Sequence, residues 1–236
     1  MSTSKFFLKS MIKDCIAPRS NSKQRIITAC ILCLLFYSIF FLCPLIISSS
    51  FICLLMMAML WELKNILQLT SSFFCVAIFY PIIPCLMLIN LNQDLQQRHL
   101  VIYLFVLVAL FDTGSYVSGK GAHRWWTTHK IIPKISPGKS WEGFFGGILC
   151  TQIVLCMLYT AQGQYISWQA IICMIPICII AFAGDMFESY LKRSANIKDS
   201  GNLLPGHGGL LDRFDGILAV TYFFYIYQDY LAIILQ

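Results

Sequence analysis

Charged side chains and glycines gather in one stretch of an otherwise apolar chain, between residues 184 and 216. Asp185 and Glu188 are three residues apart, as are Asp212 and Asp215, so each pair shares one face of a helix. Carboxylate oxygens suit Mg²⁺, which usually keeps substrate phosphate in its coordination shell. Glycine-rich backbone and basic side chains both bind phosphate. These residue types therefore indicate metal-assisted phosphoryl or nucleotidyl transfer.

The candidates in this stretch are Asp185, Glu188, Lys192, Arg193, Lys198, Asp199, His207, Gly208, Gly209, Asp212, Arg213 and Asp215. The alternative is a solvated loop with chance ion pairs. It is disfavoured because five of the eleven acidic residues of the chain fall here. For His207, a structural and a catalytic role both stay open.

A second polar segment, 111–143, begins inside an apolar run. Asp112 follows twelve mostly apolar residues, so we expect it at membrane depth, where an acid needs a partner or a cation. Further along, Ser136, Lys139 and Ser140 offer donors for phosphate. The segment is not a P-loop, because that motif requires glycine where Pro133 stands. An ordinary basic loop is the alternative.

Membrane-spanning helices must hold these residues. The chain is 58% hydrophobic and 12% charged, with a mean hydropathy of +0.72, which excludes an ordinary soluble domain. Its apolar runs approach the roughly 20 residues that cross a bilayer. The sequence predicts an all-α, polytopic integral membrane protein with about seven transmembrane helices, at 26–46, 47–62, 68–90, 100–118, 143–162, 167–186 and 215–235. In the second span, Ser48 to Ser50 and Glu62 shorten the apolar core.

The distribution of lysine and arginine predicts the orientation. Basic residues cluster before the first span and in the loops after the fourth and sixth spans, whereas the opposite loops are nearly bare. The positive-inside rule places the N-terminus and both polar loops in the cytoplasm. A bacterial-style inner membrane is the default location, although the sequence does not distinguish it from a mitochondrial or endoplasmic-reticulum membrane.

The chain divides into a basic amphipathic N-terminal segment (1–25), N-terminal membrane helices (26–99) and a catalytic membrane region (100–236). In the first segment, Leu8, Ile12 and Ile16 recur at the spacing of a helix lying on an anionic leaflet; a disordered basic tail is the alternative. Most of the eleven cysteines lie in apolar spans, without the spacing of a zinc site, so we expect them to be free and packed.

The segment SYLKRSANIKDSGNLLPGHGGLLDRFD (189–215) resembles the signature of CDP-diacylglycerol synthases, also called phosphatidate cytidylyltransferases. That signature reads S-x-x-K-R, four residues, K-D-x-G, then P-G-H-G-G-x-x-D-R-x-D, and every fixed position is met. The segments DTGSY and SPGKSWEG are also similar to family motifs. The resemblance covers about 100–236; members of the family are commonly longer by two spans, and AHRWWTTHK (122–130) departs from their pattern.

The resemblance implies transfer of CMP from CTP to phosphatidate, giving CDP-diacylglycerol and pyrophosphate. Asp185 and Asp212 are expected to hold Mg²⁺, and Asp112 to complete the cation site or pair with a lysine. The other expected contacts are with the substrates or with a second cation, whose presence stays open. Asp199 and Asp215 are expected either to support the metal ligands from behind or to bind the second cation. The expected substrate contacts are Lys192, Arg193 and Arg213 for lipid phosphate or pyrophosphate, Ser136, Lys139 and Ser140 for CTP phosphates, and Gly208 and Gly209 for substrate.

The expected partners are phosphatidate, CTP and membrane lipids, with no nucleic acid, and a homodimer stays open. Two other functions are weighed against this one. Another CTP-dependent lipid enzyme, such as a CDP-archaeol synthase or a polyprenol kinase, would share the phosphate-binding residues. A transporter of a phosphorylated solute would need polar residues through the membrane, whereas here they stop at one face apart from Asp112.

Overall fold

The regular structure of the chain is helical. The computed structural model describes residues 34–94, 97–125, 127–201, 203 and 208–235. Within these ranges there is no named β-strand, and Lys130 and Ser140 form an isolated bridge. After a π-helical turn at Ser38–Leu42, the helices are α1 (Leu45–Leu67), α2 (Ser71–Gln93), α3 (Arg98–Trp125), α4 (Trp141–Ala161), α5 (Trp168–Ser194), α6 (Leu211–Ile226) and α7 (Gln228–Ile234).

Helices α1 to α5 are each long and apolar enough to cross a membrane, and α6 with α7 makes a sixth span if the bent pair is counted as one. The prediction of an all-α polytopic membrane protein is confirmed. Residues 1–33, which include the basic segment and part of the first predicted span, lie outside the described residues. The count of seven spans therefore stays a prediction. The eight described cysteines are free, as expected.

Four predicted spans have wrong boundaries. Helix α3 runs to Trp125, seven residues beyond the predicted end at 118. Helix α1 runs on to Leu67, because Ser48 and Glu62 are buried against protein rather than facing lipid. Helix α5 continues to Ser194, eight residues beyond the predicted end at 186, so Asp185 and Glu188 lie inside it. The predicted last span, 215–235, bends by 91° between α6 and α7, and α7 buries Leu231 and Ile234 in the core.

Hydroxyl side chains begin the helices that frame the polar loops. Ser140 accepts a hydrogen bond from the Gly143 amide at the start of α4, and Ser167 accepts one from the Ala170 amide at the start of α5. The first amides of a helix have no acceptor within it, which is why a serine at this position stabilises the helix start.

A π-helical turn at Ile78–Ile82 interrupts α2. In this register the Ile83 amide donates to the carbonyl of Ile78. The next donor would be Pro84, which has no N–H, so the carbonyl of Phe79 is left without its main-chain partner. The hydroxyl of Tyr222 donates to that carbonyl at 2.5 Å. This bond fastens α2 to α6.

Close approach of α5 and α6 depends on Gly184. A Cβ at this position would lie 2.6 Å from the backbone oxygen of Asp215 and 2.7 Å from the Cβ of Ala219. Because a backbone oxygen cannot swing away as a side chain can, any larger residue would push the helices apart. The contact brings Asp185, the next residue of α5, beside the first turns of α6.

Candidate active site

The polar residues of both loops surround one cavity of about 300 Å³. It forms where α3, α5 and α6 meet the segment before α4. Five carboxylates and three basic side chains line it: Asp112, Lys139, Asp185, Lys192, Asp199, Asp212, Arg213 and Asp215. All eight residues were sequence-predicted candidates, so the fold brings together residues that are up to 103 positions apart in the chain. Such mixed charge suits a ligand that is itself an ion pair of phosphate and cation.

Lys192 joins the two helices that bear most of the acids. Its Nζ lies 2.5 Å from Oε2 of Glu188 and 2.6 Å from Oδ1 of Asp212. The side chain of Lys192 is only 12% exposed and that of Glu188 only 1%. A buried charge is costly unless it is paired, so removing one partner from this group would leave the others uncompensated.

Asp212 organises the loop in front of α6. Its carboxylate accepts hydrogen bonds from the amide of Ser200, at 3.1 Å to Oδ2, and from the amide of Gly209, at 2.9 Å. The predicted substrate-binding residue Gly209 therefore donates its amide to Asp212. Gly208 has a φ of +82°, a left-handed conformation that glycine adopts without strain. His207 lies outside the described residues.

Lys139 is paired with Asp185, the carboxylate that was predicted to hold a metal ion. Its ammonium forms an ion pair with Oδ2 of Asp185. Burial alone would lower the pKa of Lys139, but the neighbouring carboxylates, Asp185 first and then Asp112 and Asp215, together outweigh burial and leave that pKa above its ordinary value. The lysine is therefore cationic throughout the neutral range.

A second cavity of about 310 Å³ adjoins the first and shares Asp112 and Lys139 with it. It lies between α3, α4 and the loop that joins them. Its walls combine basic groups (Lys120, His123, Lys130, Lys139), hydroxyl groups (Ser115, Ser136, Ser140) and aromatic rings (Tyr116, Phe144, Phe182). Aromatic faces beside cationic and hydroxyl donors are the surroundings that a nucleotide base, sugar and phosphate require.

The remaining predicted residues lie outside the first cavity. Ser136 and Ser140 line the second cavity, but the hydroxyl of Ser140 already accepts the Gly143 amide. Arg193 donates to the backbone oxygen of Ile135 at 3.2 Å and to that of Ile197 at 3.1 Å, so it ties the two loops together. Lys198 is exposed.

The sequence did not predict four residues of α3 that line the second cavity, which are Ser115, Tyr116, Lys120 and His123. It also did not predict two buried residues near the first cavity. Glu62 of α1 is fully buried and contacts the second loop. The sequence did carry a signal for Glu62, since an acid inside a membrane span marks a functional position by default. Tyr80, in the π-helical turn of α2, is buried against Phe187, and its hydroxyl has no hydrogen-bond partner among the described residues. Nothing in the sequence distinguishes it from an ordinary apolar position.

The cavity walls fit a divalent cation chemically, since five aspartates supply hard oxygen ligands. Within the described ranges, however, no three acidic, histidine or cysteine side chains lie close enough to hold a metal ion by themselves. A cation here would have to take one or two carboxylates and complete its shell from substrate phosphate and water, which is the usual arrangement for Mg²⁺.

Comparison with known proteins identifies the family. The cytidylyltransferase family matches residues 64–231. The chain is 42% identical to the phosphatidate cytidylyltransferase of Staphylococcus haemolyticus over 123 residues, which is 52% of this chain and 46% of that protein. It is 36% identical to the phosphatidate cytidylyltransferase of Haemophilus influenzae over 178 residues, 72% of this chain and 60% of that one. The chain thus spans about half the length of the staphylococcal relative. With both loops inside the matched region, it belongs to the cytidylyltransferase family.

Proposed function

We propose that this protein transfers CMP from CTP to phosphatidate, giving CDP-diacylglycerol and pyrophosphate. The observation that carries the proposal is the pair of adjoining cavities at one end of the helices, joined by Asp112 and Lys139. One is lined by carboxylates and basic groups, and the other by aromatic, hydroxyl and basic groups. The match to the cytidylyltransferase family, residues 64–231, includes the segments that build both cavities, and the relatives named phosphatidate cytidylyltransferase are 36% and 42% identical to this chain.

The reaction needs alignment of two anions rather than a covalent enzyme intermediate. A phosphate oxygen of phosphatidate attacks the α-phosphorus of CTP, the bond from that phosphorus to the β-phosphate bridging oxygen breaks, and pyrophosphate leaves. The main obstacle is repulsion between the anions, so positioned cations lower the barrier. Lys192 and Arg213 line the first cavity, where lipid phosphate and the departing pyrophosphate would lie, and Lys139 stands between the two cavities.

The aspartates of the first cavity are suited to bind Mg²⁺. Asp185 and Asp212 are the proposed ligands, with Asp112 beside them. Bound there, Mg²⁺ would supply positive charge to the phosphates and orient them for in-line displacement. In this structure Lys139 pairs with Asp185, and a lysine that turned to nucleotide phosphate would leave the carboxylate of Asp185 free to bind the cation.

Membrane topology supports access to both substrates. The two loops share one cavity and therefore one side of the membrane. We propose that this side is the cytoplasm of a bacterial inner membrane, because both loops are rich in lysine and arginine. CTP then reaches the cavity from solution and phosphatidate from the adjacent leaflet.

The test is incorporation of labelled CMP into lipid by purified protein in detergent micelles. CTP labelled at the α-phosphate, phosphatidate and Mg²⁺ should give a labelled lipid and stoichiometric pyrophosphate. Diacylglycerol, which lacks the attacking phosphate, should give no labelled lipid. CTP labelled at the γ-phosphate separates this reaction from a kinase, because a kinase would move that label to lipid. Absence of lipid label from the α-phosphate, in protein shown to be folded, would refute the proposal.

A further inference from the structure

A carboxylate from α1 holds the loop that carries the signature residues. Oε1 of Glu62 accepts a hydrogen bond from the Leu210 amide at 2.9 Å. Oε2 accepts one from the Leu211 amide at 2.8 Å and one from the Ser200 hydroxyl at 3.0 Å. The side chain is fully buried, at 0% exposure. All three partners are donors, which suits a carboxylate that only accepts.

Glu62 provides the capping acceptor that α6 lacks within its own sequence. The residue at the N-cap of α6 is Leu210, which makes no side-chain capping bond. The first amides of a helix need acceptors, and the positive end of the helix dipole attracts an anion. Glu62 satisfies both requirements from a different helix, 148 residues earlier in the chain.

Two glycines of the second loop make room for this carboxylate. A Cβ at Gly201 would lie 2.7 Å from Oε1 of Glu62, and a Cβ at Gly209 would lie 2.7 Å from Oε2. At Gly209 it would also collide with the hydroxyl of Ser200. Glycine at these two places is therefore explained by a contact within the protein, without any contact to substrate.

The same loop segments also contact Asp212, which lines the first cavity. The amides of Ser200 and Gly209 donate to Asp212. The Ser200 hydroxyl and the amides of Leu210 and Leu211 donate to Glu62. We propose that Glu62 is a positioning residue, which fixes where α6 begins and so where Asp212 and Arg213 stand in the cavity. Its kinetic consequence rests on the proposed function, whereas the loop contact does not.

Glu62→Gln tests the proposal with little change in volume. Glutamine keeps one oxygen, but its NH₂ group would face a donor, so at least one of the three bonds is lost. Hydrogen exchange of the Leu210 and Leu211 amides, followed by mass spectrometry on the full-length protein in detergent, should speed up. The kcat per folded molecule should fall about tenfold or more, because misplacement by about 1 Å costs up to about 100-fold. The KM values should change less than about threefold.

Ser48→Ala is the matched control. Ser48 lies in the same helix and is equally buried, but it bonds to Asn92 and to the Leu45 carbonyl, away from the loop. It should change neither the exchange of the α6 amides nor kcat. If Glu62→Gln does not fold, Glu62→Asp, which keeps the charge and shortens the side chain, takes its place with the same measurements.

The outcomes separate the two proposals. Unchanged exchange at the start of α6 in the Glu62 variant overturns the inference, whatever the activity. Faster exchange with unchanged kcat also overturns it, since the contact would then be structural only. If the wild-type protein transfers no CMP, the proposed function fails, and with it the kinetic role of Glu62. Slow hydrogen exchange of the Leu210 and Leu211 amides that depends on Glu62 would still support the loop contact.

Discussion

Replacing Lys139 with methionine should change the affinities for metal and nucleotide in opposite directions. Lys139 pairs with Asp185, the proposed Mg²⁺ ligand, and also lines the cavity proposed for the nucleotide. Without nucleotide, the lysine competes with a divalent cation for that carboxylate. With nucleotide, it supplies charge to phosphate. Methionine keeps most of the side-chain volume and removes the charge.

The size of the effect follows from Coulomb's law. A divalent cation and an ammonium on opposite oxygens of one carboxylate would lie about 6 Å apart, which in water is a repulsion of about 1.4 kcal/mol. The side chains are only 26% (Lys139) and 21% (Asp185) exposed, so the value for water is a lower bound on the repulsion. The cation should therefore bind at least about tenfold more tightly to Lys139→Met. Loss of a charge-assisted bond to phosphate costs about 1.5–3 kcal/mol, so the KM for CTP should rise about tenfold to 100-fold.

The assay is titration of the nucleotide-free protein with Mn²⁺, read by electron paramagnetic resonance of the free ion, alongside steady-state kinetics with CTP. The raised pKa of Lys139 keeps it charged, so the difference in Mn²⁺ affinity should be constant between about pH 6 and 8. Lys134→Met is the control, because Lys134 is exposed in the same loop and lines neither cavity. If Lys139→Met binds Mn²⁺ no more tightly than the wild-type protein does, Lys139 does not compete with the cation for Asp185.

Three further predictions concern the cavity, the packing and the membrane. Asp185→Asn should lower kcat about 100-fold or more and raise the Mg²⁺ concentration needed for activity, with the melting temperature in detergent little changed; wild-type metal dependence would contradict the assignment. Gly184→Val should destabilise the protein by about 1–3 kcal/mol, seen as a lower melting temperature, because its Cβ meets the backbone of α6. Gly138→Val should not lower the melting temperature, because a Cβ at that position meets nothing within 4 Å. With native cysteines removed, a cysteine at Ser136 should be labelled only from the cytoplasm and one at Gln162 only from the opposite side; labelling of both from one side would contradict the topology.

Local pattern in the sequence determined most of the residues that meet at the cavity. Asp185, Asp212 and Asp215 were predicted from helical spacing, and Asp112 from its depth in an apolar run, because each depends on the chain within a few turns. The all-α membrane fold followed from composition in the same way, since only helices satisfy every backbone group within a single span.

The tertiary structure alone decided which partner each polar group has. Ser140 caps α4, Arg193 binds the backbone of both loops, and Glu62 caps a helix that begins 149 residues later. Periodicity reports which residues share a face of one helix, but it carries no information on which helices are neighbours. A buried carboxylate needs donors, and the donors of Glu62 exist only once α1 and α6 are packed together.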